Sequence, residues 1–162
     1  MPSAIALAIL CWPKLEARNA PSVRFVANPV STRMAGRRAV STRPIVVKLS
    51  PVLPDIAGMA RVAEQEGADA ITLVNTIPGM LDGRLGNGAG GVSGPTLLAI
   101  GVLATRKVRA AVAIPVIGVG GIRTARDARE YLAAGASLVA IGTAALADPR
   151  VPERVARELA RG

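Results

Sequence analysis

Histidine is absent from this 162-residue chain, and cysteine occurs once, at Cys11. The first absence removes a Ser-His-Asp triad, an HExxH metal site and any imidazole base. The second removes a disulfide framework, a zinc knuckle and an iron–sulfur cluster held by this chain alone. Cys11 stands between Leu10 and Trp12, with neither a basic neighbour nor a helix end to stabilise a thiolate. Aromatic residues are nearly missing too. Trp12, Phe25 and Tyr131 cannot build a stacking platform for bases. Long apolar runs are also lacking. Residues 3–10 are apolar, but they have no basic stretch before them and are far too short to cross a bilayer. The expectation is therefore a cytoplasmic protein without a membrane partner.

Acidic side chains are few, 11 against 20 basic ones, for a formal charge of +9. The imbalance is concentrated at one end. Residues 1–43 carry seven basic side chains against Glu16, whereas the remaining residues carry thirteen against ten. The later arginines are scattered through helix-like segments, as on a solvated face, so nucleic-acid binding is not expected.

What is present begins at Pro44. Over residues 1–43, Pro2, Pro13, Pro21, Pro29, Asn19, Asn28 and Gly36 interrupt every apolar run, and an irregular basic leader is expected. Residues 44–50 are a short β-branched strand, bounded by Pro51 and Pro54. Residues 55–66 place Ile56, Met59, Ala60 and Ala63 on one helical face, with Gly67 as its stop. Residues 69–76 form a second strand, followed by a glycine-rich loop over 77–94 whose middle, 83–90, is expected to be a mobile surface loop. A helix over 95–110 has Leu97, Gly101, Ala104 and Val108 in register and Pro95 at its first position. A third strand spans 115–119. Thr124 and Asp127 then have capping-box spacing and open a helix that buries Ala125, Ala128 and Leu132. After a fourth strand over 137–141, a last helix starts near Asp148 and Pro149, with Val151, Val155 and Leu159 four apart.

Strand and helix alternate four times, which calls for parallel strands. The stretch from Pro44 to Thr76 is echoed by that from Pro115 to Thr143, as in a barrel built from repeated units. The expected fold is thus α/β: four βα units, the C-terminal half of a TIM-type (β/α)8 barrel, over 44–162. A complete barrel typically needs about 250 residues. Half a barrel exposes two sheet edges and an inner face, so association with a second copy or another partner is expected.

Ligands bind such folds at the C-terminal strand ends. There this chain carries Lys48, then Asn75 and Thr76, then Gly120 and Gly121, then Gly142 and Thr143. Lys48 interrupts an apolar strand; it either meets an anion or snorkels at the strand end. Asn75, in phase with Ile71 and Leu73, either points into the barrel mouth or caps a turn, and Thr76 either adds a hydroxyl or ends the turn. Gly120 and Gly121 either present N–H groups, with the following helix N-terminus, to a phosphate or simply make a tight turn. Gly142 and Thr143 strengthen the phosphate reading. Gly94 abuts a helix start, where backbone can approach a ligand.

From Pro44 to the end the chain resembles the C-terminal half of a class 1 dihydroorotate dehydrogenase catalytic subunit. The resemblance is carried by ValLysLeuSerPro (47–51), GlyAlaAspAla (67–70) with ValAsnThr (74–76), GlyGlyValSerGlyPro (90–95), IleProValIleGlyValGlyGlyIle (114–122), and GlyAlaSer (135–137) with IleGlyThrAla (141–144). AsnThrIleProGlyMet (75–80) is closer to the 1B form than to 1A. The resemblance implies an FMN cofactor, with Lys48 at the flavin N1/O2 edge, Val74 and Gly94 along the ring and ribityl chain, and Gly120, Gly121, Gly142 and Thr143 at the phosphate. It implies that Asn75 and Thr76 hold dihydroorotate or orotate. The implied reaction, a step of pyrimidine synthesis, takes a proton from C5 and a hydride from C6 of dihydroorotate. The 1B form further implies a partner subunit carrying FAD and a [2Fe–2S] cluster. Two alternatives stand beside it: a flavin domain resembling that of dihydropyrimidine dehydrogenase, since Asn75 and Thr76 fit either pyrimidine, and a non-catalytic half-barrel that associates with itself or a partner to cover its edges. The family's base is a cysteine in an Asn-x-Ser-Cys-Pro-Asn-like loop before the Lys48 strand. Nothing here matches it, so no catalytic base is expected in this chain.

Overall fold

The computed structural model describes residues 7–8, 24–26, 42–80 and 88–161. The rest of the expected leader, Cys11 included, and the loop tip at 81–87 lie outside the described residues. Two short strands fall inside the leader: β1 (Leu7–Ala8) and β2 (Arg24–Val26). The regular part runs β3 (Ile45–Leu49), α1 (Ile56–Gln65), β4 (Ala70–Leu73), β5 (Ile77–Gly79), β6 (Gly90–Val92), α2 (Leu97–Arg109), β7 (Val116–Val119), α3 (Ala125–Ala133), β8 (Leu138–Ala140), α4 (Thr143–Ala147) and α5 (Val151–Ala160).

Six strands form one parallel sheet in the order β1-β8-β7-β4-β3-β2, while β5 and β6 pair antiparallel. The central strands are apolar on both faces because both are buried, the usual state of a parallel sheet. On β3, Ile45, Val47 and Leu49 join Ile71 and Leu73 of β4 and Val116 of β7 under α1 and α2. The alternate residues Val46, Ile117 and Ala140 form a separate cluster on the other face. By the same alternation Lys48 and Thr72, which are Cα partners across β3 and β4, belong to that second face.

The helices follow their local chemistry. The Asp55 carboxylate caps α1 by accepting from Gly58 N at 2.7 Å, and Gly67 ends it with φ +85°. Both halves of the Thr124–Asp127 capping box on α3 are formed. Several expectations need correction. The helix expected from Pro95 begins at Leu97, because residues 94–96 make a turn in which Leu97 N bonds to the Gly94 carbonyl. The glycine-rich segment is not simply a loop: its two ends pair as β5 and β6. The last helix starts at Val151, since the extra helix α4 occupies the residues before Asp148. On α3 Ala125 and Ala128 are buried as expected, but the large side chain buried with them is Tyr131, with Leu132 only half-buried.

Candidate functional site

The two rims of the sheet use their polar side chains differently. At the N-terminal strand ends these are spent on the fold. The Asp69 carboxylate accepts from Ile45 N at 2.7 Å, Glu64 from Ala113 N and Ile114 N at 2.8 and 3.0 Å, and Arg109 donates to the carbonyls of Val112 and Ala113. At the C-terminal ends the chain closes around a cavity of about 520 Å³ instead.

Lys48, Val74, Thr76, Gly94, Gly120, Gly121, Gly142 and Thr143 all line this cavity. Asn75 does not. Its backbone N–H bonds to the Leu49 carbonyl at 3.0 Å, while Val74 N bonds to the Val119 carbonyl at 2.8 Å, so the segment leaving β4 is clamped between β3 and β7. The Asn75 side chain is exposed on the rim beside the cavity. The Thr76 side chain is exposed but stands against the hairpin, for a Cβ on Gly91 would overlap it.

Among the described cavity-lining residues only Lys48 and Arg123 are charged. Lys48 is half-buried, and among the described residues it has neither an ion-pair nor a hydrogen-bond partner. Burial holds its ammonium below the ordinary lysine value of 10.5. Such a cation favours any anion that enters the cavity.

The two glycine turns differ in build. Gly120 and Gly121 have φ +132° and +75°. A Cβ on Gly121 would come within 2.6 Å of Leu98 N, so this turn lies directly against the start of α2. Gly142 has φ −107° and open space within 4 Å of where a Cβ would stand. Thr143 Oγ1 donates to Ser93 Oγ at 2.9 Å, tying the end of β8 to the hairpin exit. The α3 N-terminus, expected to help hold an anion, is largely occupied by its own chain: Asp127 Oδ2 accepts from both Arg123 N and Thr124 N at 2.9 Å.

Three contributors had little signal in the sequence. Tyr131 is wholly buried, its hydroxyl donates to the Gly120 carbonyl at 2.8 Å, and burial pushes its phenol well above the ordinary value of 10.0. It fits there because a Cβ on Gly101 or Gly118 would overlap its ring. Ser93 lies within the GlyGlyValSerGlyPro segment (90–95), and Arg123 directly follows the segment 114–122. Among the described residues no group of histidine, cysteine or acidic side chains could hold a metal, and no helix is long and apolar enough to cross a membrane.

Residues 20–162 match the family model described as Dihydroorotate dehydrogenase. The chain belongs to the dihydroorotate dehydrogenase family. It is 49% identical over 130 residues to a Solibacter usitatus protein named "Putative dihydroorotate dehydrogenase A (fumarate)", covering 76% of this chain and 43% of that protein. It is 46% identical over 128 residues to the dihydroorotate dehydrogenase B (NAD(+)) catalytic subunit of Geobacillus kaustophilus, covering 75% and 41%. The equivalent subunit of Citrifermentans bemidjiense is 43% identical over 125 residues, covering 74% and 41%. The matches thus span well under half the length of these dihydroorotate dehydrogenases. Because the family match begins at residue 20, it takes in β2 as well as everything after Pro44.

Proposed function

We propose that the cavity is the FMN site of a class 1 dihydroorotate dehydrogenase, and that this chain is the C-terminal half of its TIM barrel. The observation that carries the reading is one hollow lined both by an unpaired, half-buried cation and by two glycine turns at the ends of neighbouring strands. The cavity volume lies in the range of small-molecule sites, roughly 300–1,000 Å³. The residues fit the cofactor. Gly120 and Gly121 keep side chains off the wall, Gly142 leaves space open, and Lys48 supplies positive charge.

Bound FMN would supply the acceptor for the hydride leaving C6 of dihydroorotate. Lys48 holds positive charge at the N1/O2 edge of the ring, where electron density rises on reduction. Val74 and Gly94 line the ring and ribityl chain, and Gly120, Gly121, Gly142 and Thr143 receive the phosphate. Asn75 and Thr76, above the cavity, hydrogen-bond the pyrimidine ring. No residue of this chain is assigned to take the C5 proton. Relatives named as NAD(+)-linked catalytic subunits support the 1B form, with electrons passing on to an FAD and [2Fe–2S] partner. Membership of the family supports a place in pyrimidine synthesis, in the cytoplasm.

Flavin fluorescence titration of the purified chain, followed by a dihydroorotate oxidation assay, tests this. Weak, reversible FMN binding with negligible turnover is expected, because proton removal lacks its base. Absence of FMN binding at millimolar concentration rejects the flavin site. Robust turnover rejects the assignment of the base to a part outside this chain.

A further inference from the structure

We propose that Arg123 is the countercharge for the phosphate of the bound nucleotide, and so the residue that makes this cavity prefer a phosphorylated flavin over an unphosphorylated one. The inference rests on the flavin reading of the cavity.

Three observations lead to it. Among the described lining residues Lys48 and Arg123 alone are charged. Lys48 is on β3, whereas Arg123 follows the turn at the end of β7, with β4 between those strands. Those two strands stand two strand spacings apart, about 10 Å, a span that suits the two ends of an extended ligand. The second observation is that the α3 N-terminus is weakened as a seat for a dianion. The Asp127 carboxylate takes the N–H groups of Arg123 and Thr124, and it places a negative charge in the first turn, where the helix dipole would favour the ligand's. A side-chain cation beside the glycine turn would offset that carboxylate. The third is that the Arg123 side chain is uncommitted: among the described residues it makes no ion pair or hydrogen bond, and only its backbone N–H is engaged. Arg150, Arg154 and Arg157, by contrast, are paired with Asp148 or Glu153. A guanidinium offers the fork geometry that binds two phosphate oxygens at once.

Paired titrations of the full chain with FMN and with riboflavin test the assignment, using Arg123→Ala, Arg123→Lys and the control Arg126→Ala on the exposed side of α3. Arg123→Ala should weaken FMN binding about tenfold, leave riboflavin affinity unchanged and flatten the salt dependence of FMN binding. Arg123→Lys should recover part of the loss, and Arg126→Ala should match the parent chain. Equal weakening of both flavins, or no change for FMN, overturns the role of Arg123. A parent chain that binds neither flavin fails earlier, and removes the flavin reading together with this one.

Discussion

Lys48 and Thr72 face each other across β3 and β4, and each bears a cost the fold does not repay. The Thr72 hydroxyl is wholly buried and has no hydrogen-bond partner among the described residues. Replacing it by a shape-matched apolar group removes an unmet polar atom, so Thr72→Val should stabilise the chain by about 1 kcal/mol, read as a rise in urea midpoint with unchanged slope. A fall in midpoint would mean that the hydroxyl has a partner in solution. For Lys48 the sign follows from linkage. Its folded value lies below 10.5, so between that value and 10.5 the folded chain binds fewer protons than the unfolded one, and stability rises with pH. Lys48→Met should therefore melt higher than the parent at neutral pH, with the gap closing above pH 10.5. The same variant should lose FMN affinity by about tenfold or more, since the cation is what the ring edge meets. A residue that costs stability yet raises affinity belongs to a site. If Lys48→Met leaves FMN binding untouched, the cation is a solvated strand end.

At the scale of elements, glycines set the positions of larger groups. Gly101 on α2 and Gly118 on β7 make room for the Tyr131 ring, and Tyr131 in turn holds the Gly120 carbonyl. Tyr131→Phe should cost about 1–2 kcal/mol in chemical denaturation, because a buried carbonyl loses its donor. The two glycine turns make a contrast that separates folding from binding. Gly121→Ala combines a positive φ with overlap of the α2 backbone and should cost about 2–4 kcal/mol. Gly142→Ala meets nothing, so stability should stay within about 0.5 kcal/mol while FMN affinity falls. Unchanged affinity in Gly142→Ala would remove that turn from the phosphate seat. This also explains what the sequence could disclose. The cap of α3 and the buried strands β3, β4 and β7 rest on neighbours within a few residues, so spacing alone reveals them. Tyr131 depends on glycines 30 and 13 positions away, a relation no local pattern carries. The two-residue β1, the three-residue β2 and a hairpin stem rich in glycine are too short or too bare to show alternation. Arg123 is one of many arginines in a basic sequence, and only the fold brings it into the same cavity lining as Gly94, Gly121 and Thr143.

For the molecule as a whole, the sheet order has a functional consequence. Its end strands β1 and β2 each pair on one side only among the described residues, and a parallel sheet with open edges invites further strands. If the chain is half of a barrel, as proposed, the rim that carries Lys48, Gly121 and Thr143 is one side of a site whose other side would come from strands beyond β1 and β2. That predicts a specific complementation. Mixed with a separately produced N-terminal segment of a dihydroorotate dehydrogenase B catalytic subunit, carrying that family's cysteine loop, the chain should bind FMN at least about tenfold more tightly than alone, because the cofactor is then enclosed rather than held on one face. Dihydroorotate oxidation should appear only in the mixture, and a cysteine-to-alanine change in the added segment should abolish it while leaving FMN bound. Sedimentation of the chain alone should give a mass above the 16.5 kDa of one copy, and the added segment should replace that species with a one-to-one complex. A stable monomer that ignores the added segment would mean that the sheet edges are already covered by the chain's own residues, and the half-barrel reading would fall with them.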